Sequence, residues 1–325
     1  MSLTDPWQYL RIFIINSDLC EGMDAVRSLK VTTLADNIVQ LAGLHGQWGL
    51  SFLLELEDAQ GDRRKVVLDT GNDREPLLHN VKRLKVDLGD VDCLVISHGH
   101  RDHTVANVEV VEAAGGVKVY AHPDTFRKRI RVRPDGTRRE HGVPEGQGIA
   151  EIEAAGGEVV LSREPAEVVP GLRTTGEVPR VSGFETILPL REGESVRIVV
   201  DGEEVDDQIL DDQALWADVR GAGPFVLLGC AHAGPINPLT HVKRLGGFDG
   251  VYGVVGGTHL VGRDEVYVRR TMDEVRRFNP RLLSPCHCTG FKATAWFARE
   301  FPEAFALNFC GRVIEAGKEP EFRLV

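Results

Sequence analysis

Ile96-Ser97-His98-Gly99-His100-Arg101-Asp102-His103-Thr104 is the stretch on which the reading of this chain turns. It sets three histidines and one aspartate within six positions, directly after the apolar run Cys93-Leu94-Val95-Ile96. Histidine is scarce, 11 in 325 residues overall, so this density does not read as an incidental polar turn. In an extended segment His98 and His100 project to the same side. Asp102 and His103 stand at the entry to the next helix and can turn toward a second ion, and Gly99 lets the backbone bend sharply. Neutral imidazole and carboxylate are the donors that zinc and other divalent first-row metals take. The spacing therefore reads as four ligands for two metal ions on one loop after a buried strand.

Outward from this loop, the first third reads as strands broken by turns. Strands are expected at 10–16 (LRIFIIN), 49–57 (GLSFLLELE) and 64–69 (RKVVLD), the last two joined through Ala59-Gln60-Gly61-Asp62. The third runs into the turn Leu68-Asp69-Thr70-Gly71. A helix is expected at 76–84, the buried strand at 91–97, and a second helix at 104–114, stopped by Gly115-Gly116. A strand at 117–121 follows. The polar segment from 126 to about 161 carries a hairpin turn at 133–137 and reads as an insertion or lid over a site. Further strands are expected at 187–189 and 195–200. The last third alternates, with strands at 224–228, 250–255 and 281–284 and helices at 238–245, 266–278 and 293–301. Such alternation after a strand-rich start implies sheets with helices packed outside. There is no internal repeat, and a single domain over 1–325 is expected.

Hydrophobic residues are 42% and charged residues 27%, which suits a soluble chain with a sizeable core. A net charge of −11 argues against nucleic acid or an anionic membrane as partner, since phosphate binding needs a basic face. No apolar run approaches the ~20 residues that span a bilayer. The first residues lack a charged segment and a small-residue cleavage site, so a cytoplasmic protein acting on a small molecule is expected. The six cysteines are expected to be reduced.

Four residues do not complete a two-metal site, and three further histidines lie just past apolar strands. They are His232 in Gly229-Cys230-Ala231-His232-Ala233-Gly234, His259 in Gly256-Gly257-Thr258-His259-Leu260, and His287 in Pro285-Cys286-His287-Cys288-Thr289-Gly290. Cys286 and Cys288 have no second cysteine pair at zinc-ribbon spacing, so His287 reads as the ligand and the cysteines as packing residues. No phosphate-binding P-loop, dinucleotide glycine turn or nucleophile elbow is present. Asp211-Asp212 is assigned no chemistry.

Taken together, these residues resemble the metallo-β-lactamase superfamily, through the HxHxDH loop and the preceding Asp69-Thr70-Gly71 turn. The segments His45-Gly46 to Ser51, Thr175-Gly176-Glu177-Val178-Pro179-Arg180, Phe184-Glu185, GCAHAG, GGTHL and PCHCTG are similar to its dihydropteroate-synthase-like branch. That branch includes archaeal enzymes that join a dihydropterin-methyl diphosphate to a ribofuranosylaminobenzene phosphate. The resemblance implies an α+β fold, an αββα sandwich with a two-metal site at one edge of two packed mixed sheets. It implies His98 and His100 on the first metal, and Asp102, His103 and His287 on the second. The chain departs from the family at the middle ligands. The turn at 175–179 has no histidine, and Gly229-Cys230 stands where Gly-Asp is usual. His232 is the choice for the missing imidazole, with Glu177 as an oxygen donor and Cys230 as a bridging thiolate left open against capping and inert buried roles.

The cofactors expected are two divalent ions, zinc first, with manganese or iron as alternatives. A hydroxide held between them is a nucleophile at neutral pH, because bound water drops from a pKa of about 15.7 to near 7. Asp102 is expected to orient it. His259 is expected as proton donor or phosphate contact, and Arg180 as an anion clamp or a surface salt bridge. The first expectation is a metal-dependent hydrolase of a small phosphorylated or ester substrate. The second is a pterin-pathway transferase, for which Trp48, Phe184 and Glu185 are candidate walls. The third is a non-catalytic metal or redox protein. The fold leaves the choice to the site, since one fold hosts many chemistries.

Overall fold

The computed structural model describes residues 11–14, 25–187 and 192–317. Cys20 and residues 188–189 of the strand expected at 187–189 lie outside them. In the first part come β1 (Arg11–Ile14), β2 (Ser28–Ala35), β3 (Ser51–Glu57), β4 (Arg63–Leu68), α1 (Arg74–Arg83), β5 (Cys93–Val95), α2 (Asn107–Ala113) and β6 (Lys118–Ala121). The middle holds β7 (Arg129–Val132), β8 (Arg138–Glu140), α3 (Ile149–Ala154), β9 (Glu158–Leu161), β10 (Glu167–Val169), β11 (Leu172–Thr174), β12 (Ser195–Val200) and β13 (Glu203–Asp206). The last part holds β14 (Ala214–Val219), β15 (Gly223–Leu228), α4 (Ile236–Gly246), β16 (Gly253–Gly257), α5 (Glu265–Arg276), β17 (Leu282–Cys286), α6 (Gly290–Glu300) and β18 (Val313–Ala316).

Two mixed sheets pack face to face. One has the order β1-β18-β2-β3-β4-β5-β6-β9, the other β10-β11-β14-β15-β16-β17. Period-two alternation assigns each strand's side chains to two layers. In β3 and β4, Phe52, Leu54, Val66 and Leu68 join Leu215, Phe225, Leu227 and Val255 of the other sheet in the central core. Leu53 and Val67 face outward, under Leu77 of α1, Val110 of α2 and Ile152 of α3. On the far side Val226, Leu228 and Val254 pack under Leu239, Val268, Met272 and Phe297 of α4, α5 and α6. Each such burial contributes about 1.5–3 kcal/mol, so three apolar layers between four of structure hold the αββα sandwich.

Two features differ from the expectation or refine it. No strand is read from the sequence at Ser28–Ala35, yet β2 pairs antiparallel with both β18 and β3. Half of its residues are polar (Ser28, Lys30, Thr32, Thr33), and one of its partners lies at the far end of the chain. The polar segment 126–161 also divides. Its first part, β7 and β8, joins β12 and β13 in a separate sheet of order β13-β12-β7-β8. Its second part, α3 and β9, belongs to the main sandwich, where β9 pairs parallel with β6.

The site follows from strand direction. β4, β5 and β6 run parallel in one sheet, and β15, β16 and β17 in the other. Parallel strands bring their C-terminal ends and loops to one edge, where open α/β sheets bind ligands.

Candidate metal centre

Five strand ends deliver the histidines and their supports. Asp69 follows β4, His98 to His103 follow β5, Cys230 and His232 follow β15, His259 follows β16, and His287 follows β17. Asp69, Ala231, His259 and His287 hold left-handed backbone conformations, with φ of 60°, 56°, 47° and 51°. Such conformations persist only where surrounding structure over-determines them, and they gather at functional sites. Gly229 is required by contact: a Cβ there would stand 2.1 Å from Ser97 Oγ.

The donors fall into two groups that share a middle. His98 Nε2 lies 3.0 Å from His100 Nδ1 and 3.2 Å from His232 Nε2. Asp102, His103 and His287 form a second group, with Asp102 Oδ2 3.5 Å from His287 Nε2. Cys230 Sγ stands between them, 3.1 Å from His103 Nε2 and grouped also with His98 and with His287 and Cys288. Within each group of three the donor atoms lie within 4.8 Å of one another.

Hydrogen bonding fixes which nitrogens are bare. The single Ser97 hydroxyl hydrogen goes to Asp69 Oδ2 at 2.7 Å, so His98 Nδ1–H donates to Ser97 Oγ at 2.9 Å. The lone pair of His98 Nε2 then faces two other imidazole nitrogens. His103 Nδ1 donates to the same Asp69 Oδ2 at 2.6 Å, which aims Nε2 at Cys230. His287 is oriented by Asn37 and Asp36: Nδ1 meets Asn37 Oδ1 at 3.2 Å, and its backbone N–H donates to Asp36 Oδ1 at 2.9 Å.

Charge agrees with this picture. Burial, then the neighbouring imidazoles, push His98, His100 and His232 well below the usual histidine range, so all three are neutral donors. Burial also lowers His287, and takes His259 down to about 4. Burial alone would raise the Asp102 carboxyl, but His287 and His103 outweigh it and keep it well below the carboxylate range. Burial would likewise lower His103, yet Asp69 and then Asp102 raise it to about 9.

These residues fit divalent metal. Tetrahedral zinc with bonds of about 2.0–2.1 Å separates its nitrogens by about 3.3 Å, close to the spacings around His98. His287 Nε2, which faces Asp102, is buried without a hydrogen-bond partner, as are His100 Nε2 and His232 Nδ1, and carboxylate-supported histidines are the usual outer arrangement of metal sites. One prediction follows from His103. A metal at its Nε2 replaces a proton, so apparent affinity is expected to rise about tenfold per pH unit up to about pH 9 and then level off. In the metal-free protein the His103–Asp69 pair stabilises fully below 6.5, and this stabilisation is lost as pH rises through about 9. Calorimetric titration in two buffers of different ionisation heat should show one proton released at neutral pH.

The remaining expected residues are placed as follows. Glu177 is not brought to the cluster. Its Oε2 accepts from Arg163 at 2.9 Å and faces His122 at 3.5 Å, so an ion pair holds it away. Glu185 serves α4 rather than an open wall: its two oxygens accept from Ile236 N at 2.8 Å and Asn237 N at 3.0 Å. Arg180 is exposed and donates to the Gln208 carbonyl. Phe184 packs against Tyr267. Trp48 stands beside the site, 51% exposed, its ring centroid 5.4 Å from that of His287. His259 lies 4.2 Å from His232, ring to ring. Cys230 and Cys288 are free and buried, and Cys288 accepts from His259 N. His141, which follows β8 and carries no signal in the sequence, has its ring 4.6 Å from that of His100. Asp36, Asn37 and Asp212 likewise carry no signal in the sequence, although Asp212 Oδ2 accepts from His232 N.

An αββα sandwich with this donor set at one edge is the architecture of a known class, and the chain belongs to the metallo-beta-lactamase superfamily, whose family profile matches residues 49–287. Within that enzyme superfamily the chain is similar to the 7,8-dihydropterin-6-methyl-4-(beta-D-ribofuranosyl)-aminobenzene-5'-phosphate synthase of Methanocaldococcus jannaschii. The two are 30% identical over 296 residues, covering 89% of this chain and 97% of that protein. Among solved structures it resembles Tm1679, described as a metal-dependent hydrolase of the beta-lactamase superfamily, with a TM-score of 0.71 and 23% identity over 88% of this chain and 98% of that one. The metallo-beta-lactamase fold protein YhfI of Bacillus subtilis follows, with a TM-score of 0.52 and 12% identity over 89% and 99% of the two chains. These two likenesses bear on the fold. No helix among the described residues is long and apolar enough to cross a membrane.

Proposed function

We propose that the chain is a two-metal transferase that joins a dihydropterin-methyl diphosphate, or a close relative, to an aryl amine. The observation that carries the metal part is the pair of ligand groups, His98/His100/His232 and Asp102/His103/His287, with Cys230 between them. The similarity to the archaeal synthase along 97% of its length supports the transferase reading over the hydrolase first expected. In the reaction the amine nitrogen bonds to the methylene carbon, the carbon–oxygen bond to diphosphate breaks, the diphosphate leaves with the electron pair, and one N–H proton passes to solvent. His98, His100 and His232, with Asp102, His103 and His287, would hold divalent ions, and these would supply Lewis acidity toward the phosphoryl oxygens of the leaving group.

The chain's own residues do the rest. Asp102, ionised and with its side chain 21% exposed, accepts an N–H of the incoming amine and orients it. His259 is neutral, so it contacts phosphate as a hydrogen-bond donor rather than delivering a proton. Trp48 offers an aromatic face for a flat heterocycle beside His287. Hydrolysis is the second reading, favoured by the same Asp102 geometry, which orients water equally well.

The test is incubation of metal-loaded protein with a dihydropterin-methyl diphosphate, with and without an aryl amine, followed by separation of the pterin products. Diphosphate release that depends on the amine and yields the C–N product is expected. Release without amine, giving the pterin alcohol, would assign hydrolysis instead. No release in either case would overturn both readings for this substrate class.

A further inference from the structure

A buried cation stands just outside the metal ligands. Arg129 comes from β7 of the small sheet, and its side chain is fully buried. Its Nε donates to Asp207 Oδ2 at 2.7 Å, its Nη2 to Asp211 Oδ1 at 2.6 Å, and its Nη1 to the Thr125 carbonyl at 3.2 Å. The other oxygen of Asp211, Oδ2, accepts from Gly99 N at 2.7 Å. Gly99 is the residue between His98 and His100. A Cβ on Gly99 would stand 1.9 Å from Thr125 O and 2.3 Å from Arg129 Nη1, so loop and guanidinium are in direct contact.

The next residue repeats the device on the other sheet. Asp212 Oδ2 accepts the backbone N–H of His232. Gln213 N then donates to Ser97 O at 3.0 Å, and Gln213 Nε2 to Ile96 O at 3.2 Å. Residues 211–213 therefore tie the loop after β5 to the loop after β15. The segment that presents them is strained: buried, β-branched Ile209 has a φ of 50°. A buried charged network is poor value as packing, since apolar residues of similar volume stabilise as well or better. Its geometry points to a different role.

We infer that Arg129 is a positioning residue for the His98–His100–His232 half of the metal centre, acting through Asp211 on the Gly99 backbone. The guanidinium fixes the Asp211 carboxylate, the carboxylate fixes the Gly99 N–H, and the distance between His98 and His100 follows. The same segment sets His232 through Asp212. The small sheet that carries Arg129 thereby helps to build the metal site. The inference rests on the two-metal reading above.

The test is metal affinity, measured by competition with a chromophoric zinc chelator. Asp211→Asn is the variant, because an amide can serve Arg129 or Gly99 but not both. In the His287→Ala background, where this half-site remains, Asp211→Asn is expected to weaken zinc about 10–100-fold, the range for outer partners of ligands. In the His98→Ala background, where the other half remains, the change is expected to stay within about threefold by the same reasoning. Equal weakening in both backgrounds, or none in either, would overturn the inference and reduce Arg129 to a structural ion pair. Should Asp211→Asn not fold, Arg129→Lys reads the same contrast, because a single ammonium cannot bridge Asp207 and Asp211 with the fork of a guanidinium. Absence of zinc binding by the unsubstituted protein would overturn the two-metal reading itself, and this inference with it.

Discussion

Gly99→Ala is expected to be among the most damaging single-methyl changes at the described residues. The added Cβ would stand 1.9 Å from the Thr125 carbonyl oxygen, well inside any real carbon–oxygen contact. Neither side can yield cheaply. Thr125 is backbone, and behind it Arg129 is held by two buried carboxylates. The loop must therefore move, and with it the Gly99 N–H bond to Asp211 and the spacing of His98 and His100. A destabilisation of about 3 kcal/mol is expected, the upper end for overpacking. Metal affinity of the first half-site should fall by more than the roughly 10–100-fold of an outer-partner change. Urea unfolding of the metal-free protein and zinc competition separate the two effects. A variant as stable as the parent, binding zinc as tightly, would show that the close approach is wrong.

Asp102→Asn is the second. Asp102 is the one carboxylate among the grouped donors, and His287 and His103 keep it ionised. It is also the most open of its group, with 21% of its side chain exposed where His287 and His103 are shut in. An amide of the same shape keeps the packing, loses the charge, and turns one of the two acceptor oxygens into a donor. Turnover is expected to fall about 10²–10⁴-fold, the range for a positioned base or acceptor. Folding should be little changed. The check is kcat and Tm on metal-loaded protein: a kcat within threefold of the parent would remove Asp102 from the reaction.

The parts of the site that were legible in the sequence are those whose information is local. HxHxDH after an apolar run marks a strand running into a ligand loop. His232, His259 and His287 carry the same mark, an apolar strand followed by a glycine turn. The fold was legible for a similar reason, since the alternation of strand and helix in the last third admits few packings. What stayed hidden depends on partners far away in the chain. His141 follows a short hairpin strand of charged, exposed residues, Arg138-Arg139-Glu140, and gives no hint that it reaches His100. Asp36 and Asn37 meet His287 from 250 residues away or more. Asp211 and Asp212 look like caps, and only the folded chain puts them against Gly99 and His232. Glu177 and Glu185 read as site residues because they flank a family-like turn, whereas Arg163 and the start of α4 take their oxygens. A carboxylate's partner, unlike an apolar period, is not written in its neighbours.

The proposed centre has two metal half-sites, one built on His98, His100 and His232, the other on Asp102, His103 and His287. It is tested most directly by metal analysis of protein purified without chelator and then saturated with zinc, alongside His98→Ala and His287→Ala. Two equivalents are expected for the parent and one for each variant, with the loss falling on a different half-site in each. No bound metal in the parent, or a content unchanged by either substitution, would contradict it.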